Sequence, residues 1–99
     1  MSLLAHQFQL VFKNSESFVV NDLKFQFLVS KQNLIGFTLK KTLGRATERN
    51  YFKRQCRSLF VAAFKNKPMI HLVVSPQKPL NKINHINDSF KQLKQHVCS

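Results

Sequence analysis

Arg49, Asn50, Lys53, Arg54 and Arg57 are residues of the types that grip phosphate, and none of them exchanges a proton near neutral pH. At about 100° per residue, Arg49, Lys53 and Arg57 form an i, i+4, i+8 row on a helix, and Asn50 and Arg54 extend it outward. Phe52, Cys56, Leu59 and Ala63 fall beside that row as an apolar stripe. Cations one turn apart repel one another, so a helix that needed only solubility would intersperse acids to gain favourable pairs. Between Gly44 and Phe64 the one acid is Glu48, in the first turn, where it complements the helix dipole. Relief of the repulsion is best supplied by phosphates, which makes this segment the footprint of a nucleic-acid-binding helix.

Other chemistries find less support. A two-metal nuclease needs clustered carboxylates, whereas Glu16, Asp22, Glu48 and Asp88 are the only acids and each is isolated. His6, His71, His85 and His96 stand at no metal-ligand spacing, so no metal site and no catalytic residue is expected in the protein. Cys56 lies on the apolar helix face and Cys98 is next to last, a pattern of neither a disulfide framework nor a zinc site. The formal net charge of +12 favours polyanions through counterion release. No apolar run approaches the roughly 20 residues that span a bilayer, and the amino terminus has no signal-peptide pattern. A cytoplasmic protein without a membrane partner is expected.

The elements that must position the basic row can be read in order. Leu4, Phe8, Val11 and Phe12 follow helical spacing, predicting a first helix to about Lys13, with residues 14–17 as a turn. Phe18 to Val20 is a short strand. The alternation of Leu23, Phe25, Phe27 and Val29 predicts a second, half-buried strand. Leu34 to Lys41 is a third, with Ile35, Phe37 and Leu39 inward and lysines at its exit. The basic helix runs to about Lys65 and is ended by Pro68. Met69 to Ser75 is a buried strand, and Ile83, Ile86, Phe90, Leu93 and Val97 make the stripe of a last helix. The sum is one α+β domain over residues 1–99, an α-β-β-β-α-β-α sandwich on a mostly antiparallel four-stranded sheet with a βαβ crossover.

Gly36-Phe37-Thr38-Leu39-Lys40-Lys41, then Gly44, Ala46, Arg49-Asn50, Lys53-Arg54, Arg57 and Phe60, resemble the signature of the bacterial ribonuclease P protein subunit. Phe8-Gln9-Leu10-Val11-Phe12-Lys13 is similar to the first helix of that family, so the resemblance covers about Phe8 to Ser75. It implies a left-handed βαβ crossover. It also implies a non-catalytic subunit of an endoribonuclease whose active site, with its Mg²⁺ ions, belongs to the RNA. The protein would bind the catalytic RNA through Lys40, Lys41, Arg45, Arg49, Asn50, Lys53, Arg54 and Arg57. The 5′ leader of precursor tRNA would lie in a cleft at Phe8, Phe12 and Lys13, where rings stack on bases without reading sequence. Thr42, Tyr51 and Ser58 depart from the family pattern, and much of the basic segment before the first helix is missing, as in a divergent, shortened member.

The bland readings are that Phe8 and Phe12 are core residues and that Lys40 and Lys41 are solvated strand-end lysines. Two other classes use similar features. A small ribosomal or translation-associated RNA-binding protein would share the charge and the sandwich. A basic amphipathic helix can also lie on an anionic membrane, but here its apolar face is needed to cover the sheet.

Overall fold

A computed structural model of the chain describes Leu4, Gln7, Gln9, Val11, Lys13, residues 15–66 and residues 69–98. The strands are β1 (Glu16–Val20), β2 (Leu23–Ser30), β3 (Leu34–Phe37) and β4 (Met69–Pro76). The basic helix spans Ala46–Ala63 and the C-terminal helix Ile86–Cys98. Single helical turns at Lys41–Leu43 and Leu80–Lys82 precede them. Gln7, Gln9, Val11 and Lys13 are helical, in line with the first helix read from periodicity.

The sheet order is β1-β2-β4-β3, with β1–β2 and β2–β4 antiparallel and β3–β4 parallel. Parallel neighbours need a long connection, and the basic helix supplies it. Asn21 and Asp22 turn the β1–β2 hairpin with φ of 49° and 65°, the left-handed conformation a two-residue hairpin turn requires and these short polar side chains tolerate. The Asn21 amide also donates to Asp88 Oδ2 and Ser89 Oγ, each at 3.1 Å, tying the hairpin to the C-terminal helix.

Strand alternation divides the residues between two faces. Leu23, Phe25, Phe27, Ile35, Ile70, Leu72 and Val74 face both helices and build the main core with Phe52, Cys56, Phe60, Phe64, Phe90 and Leu93. On the opposite face Val11 packs with Val73 and Leu34 in a smaller second cluster.

Several boundaries differ from the sequence reading. β3 stops at Phe37: Thr38 N–H still reaches Val74 O at 3.0 Å, but Lys40 and Lys41 lie off the sheet, in and before a helical turn. β1 begins at Glu16, inside the expected turn. Val29, expected inward, is 63% exposed near the far end of its strand. The basic helix ends at Ala63 and not near Lys65, because Asn33 captures its terminus: Asn33 Nδ2 donates to Phe64 O at 2.7 Å, and its Oδ1 accepts from Ile70 N–H at 2.9 Å. One side chain thus satisfies a carbonyl at the helix end and an amide at the start of β4.

Candidate nucleic-acid interface

The basic helix starts where Arg45 N–H donates to Glu48 Oε1 at 2.9 Å. This is half of a capping box, since an arginine side chain has no acceptor to complete it. Gly44 allows the entry. A Cβ there would meet Leu80 Cδ1 at 3.2 Å and Glu48 Cβ at 3.4 Å, so the turn at 80–82 could not sit as closely against the helix start. Phe52, Cys56 and Phe60 are buried and Leu59 half-buried, which fixes the rotation of the helix and leaves the cationic row at its flank.

Within that row Asn50, Arg54 and Arg57 are exposed, and Arg49 and Lys53 are half-buried. The Arg57 guanidinium lies 5.5 Å from the centroid of the Phe37 ring, and that ring meets Phe52 edge-on at 6.2 Å. The row therefore runs along the β3 edge of the sheet. Arg49 Nε is buried without a hydrogen-bond partner among the described residues, so the stem is held while the outer nitrogens remain for a ligand. Arg45, Lys40 and Lys41 are all exposed on the segment that leads from β3 to the helix. No salt bridge among the described residues involves any of these cations, so acids do not neutralise the face.

The carboxylates stand apart in structure as well as in sequence. Glu48 caps the helix, Asp22 meets Lys78 at 3.4 Å and Glu16 lies 3.9 Å from His96. Asp88 is held below the usual carboxylate range by hydrogen bonds from Gln92 and Asn21. No group of three or more His, Cys, Asp or Glu among the described residues could hold a metal. Burial pushes the Cys56 thiol well above its ordinary pKa and lowers that of His71. His71 lies on the second face with Nε2 3.1 Å from Ser30 Oγ.

Of the three residues expected at a leader cleft, Phe8 and Phe12 lie outside the described residues, while Lys13 is helical and exposed. Val11, two residues before Lys13, packs on the second face of the sheet, whereas the basic row lies on the helix that covers the first.

A family model described as Ribonuclease P matches residues 4–98, with the last helix included. The chain belongs to the ribonuclease P protein family. That membership gives it the role of a ribonuclease P protein subunit. Solved structures agree on the fold. A Staphylococcus aureus RNase P protein mutant with defective mRNA degradation activity superposes with a TM-score of 0.79 at 20% identity, covering 97% of this chain and 86% of that one. The RNase P protein from Thermotoga maritima gives 0.68 at 22%, covering 99% and 92%. No curated protein sequence matches significantly. Among the described residues no helix of this ribonuclease P protein is long and apolar enough to cross a membrane.

A groove of about 500 Å³ between the start of the basic helix and residues 80–87 went unread in the sequence. Tyr51 walls it and is 56% exposed. The available signal was an aromatic residue lying off the apolar stripe of a basic helix.

Proposed function

We propose that this protein binds the catalytic RNA of ribonuclease P along the basic helix and grips the single-stranded 5′ leader of precursor tRNA on the opposite face of the sheet, supporting endonucleolytic 5′-end maturation of tRNA. The observation that carries the reading is the coincidence of a family match over residues 4–98 with an un-neutralised cationic row, held in place by a buried stripe. Arg49, Lys53, Arg54 and Arg57 offer donors to phosphate oxygens, and Arg45, Lys40 and Lys41 continue the positive surface toward β3.

Lys13 would supply a cation to the leader backbone, and Phe8 and Phe12, which lie outside the described residues, would supply rings for its bases. Lys24 and Gln26 point to the face of the sheet on which Val11 packs with Val73 and add polar groups there. Two surfaces then serve two RNA strands. The Mg²⁺ that hydrolysis requires would be bound by RNA; the protein's part is to hold both strands and to lower the repulsion between them. Purified protein alone should leave precursor tRNA intact and should stimulate its cleavage at low Mg²⁺ once the cognate RNA is added. Site-specific cleavage by RNA-free protein, abolished by a point mutation in this chain, would overturn the reading.

A further inference from the structure

We propose that the groove walled by Tyr51 receives an unpaired base of the RNA that lies along the basic row. The inference rests on the RNA-binding reading above and adds to it a base-binding site.

Phe52 and Ile83, both buried, and half-buried Leu80 contribute an apolar lining to the groove. Tyr51 also lines a shallow hollow with Thr47, Asn50 and Arg54 on the outward side of the helix. The ring therefore stands between the phosphate-binding row and the groove, so a nucleotide whose phosphate rests on Arg54 has its base within reach of Tyr51.

The polar groups select the occupant. Gln55, Asn84 and Asn87 line the groove, and each amide both donates and accepts. The amides of Gln55 and Asn87 hold no hydrogen bond to another described residue, and Asn84 makes a single long one, 3.4 Å to Lys82 O. A base edge mixes donors and acceptors and matches such a set, whereas phosphate requires donors alone. Glu48 lies on the lining as well, and its carboxylate repels a phosphate or an acidic peptide while accepting from a base N–H. An apolar lining, a half-exposed ring and amides with free donors and acceptors together suit a neutral, flat, heteroaromatic ligand, and the charge of +12 brings that ligand in on a polyanion.

The chain supplies its own probe, because Tyr51 is its single tyrosine and there is no tryptophan. Intrinsic fluorescence is followed while the protein is titrated with a short single-stranded oligoribonucleotide, with the same strand fully paired to its complement, and with an abasic strand of equal phosphate number. Anisotropy of end-labelled RNA reports binding in parallel. Quenching is expected with the single strand only, although all three bind. Tyr51→Ala should weaken single-strand binding by roughly 5- to 160-fold, the range for loss of one base stack, with the salt slope unchanged, while Tyr51→Phe should retain the affinity. Binding of all three RNAs with Tyr51 fluorescence unaltered, or equal quenching by the abasic strand, would overturn the base site and leave the phosphate-binding row standing. Failure of any RNA to bind would overturn both.

Discussion

Replacing Arg49, Lys53, Arg54 and Arg57 with alanine is expected to change how this protein responds to salt more than how stably it folds. Each phosphate contact contributes roughly 0.7 to 0.9 to the slope of log K against log salt, so the four together account for roughly 2.8 to 3.6. Between about 50 and 200 mM salt the variant should therefore lose about 50- to 150-fold less affinity than the wild type, from a weaker starting point. Two structural terms oppose each other in stability. Arg57 covers the Phe37 ring at 5.5 Å, an exposed cation–π contact worth about 0.5–1 kcal/mol. Three like-charged pairs at one-turn spacing, Arg49 with Lys53, Lys53 with Arg57 and Arg54 with Arg57, cost about 0.2–0.5 kcal/mol each and vanish in the variant. The two effects nearly cancel, so Tm should move by only a few degrees. Filter binding across a salt series, beside thermal melts, reads both quantities. Arg54→Ala, which touches no ring, is the cleanest single arm: the slope should fall by about 0.7–0.9 with Tm unchanged. An unaltered slope in the quadruple variant, or collapse of the fold, would mean that the row is structural.

Other expectations follow from particular contacts. Asn33→Ala strands Phe64 O and Ile70 N–H in a partly buried site and should cost about 2–4 kcal/mol in denaturant unfolding; a loss under 0.5 kcal/mol would show that water replaces the amide. Native protein treated with a thiol reagent near pH 8 should label Cys98 at once and Cys56 only on unfolding, since burial both shields the Cys56 thiol and suppresses its thiolate. Because His71 takes a proton less readily folded than unfolded, stability should be complete above about pH 6.5 and fall as the pH drops below it; melts of His71→Gln should be flatter over that window, and an equal pH dependence in the variant would assign the effect elsewhere. Lys13→Ala should lower holoenzyme affinity for precursor tRNA and spare mature tRNA, which has no leader, and equal losses for both would remove Lys13 from the leader surface.

Periodicity exposed what depends on neighbours in sequence and hid what depends on neighbours in space. The alternation at Leu23, Phe25 and Phe27 and the stripe at Phe52, Cys56 and Phe60 were legible because burial repeats with the backbone. Val29 obeys the same alternation and is exposed all the same, since β1 begins at Glu16, opposite Phe27, and leaves Val29 without a strand on that side. The sheet order could not be read, because Met69–Pro76 is apolar whether it pairs with one strand or lies between two. At the interface the row from Arg49 to Arg57 was legible from types and spacing. The groove was not: Tyr51, Gln55, Leu80 and Asn87 meet only after the 80–82 turn folds back against Gly44.

The central position of β4 sets a schedule for synthesis. It is the last strand made, yet both β2 and β3 pair with it, so a nascent chain cannot join its early hairpin to β3 until residue 76 has left the ribosome. Until Phe90 and Leu93 follow, the ring of Phe25 lacks part of its cover. Through residue 76 the chain already carries a net charge of +9, which keeps such an intermediate in solution by self-repulsion and places it, still incomplete, among the RNA of the machine that is making it.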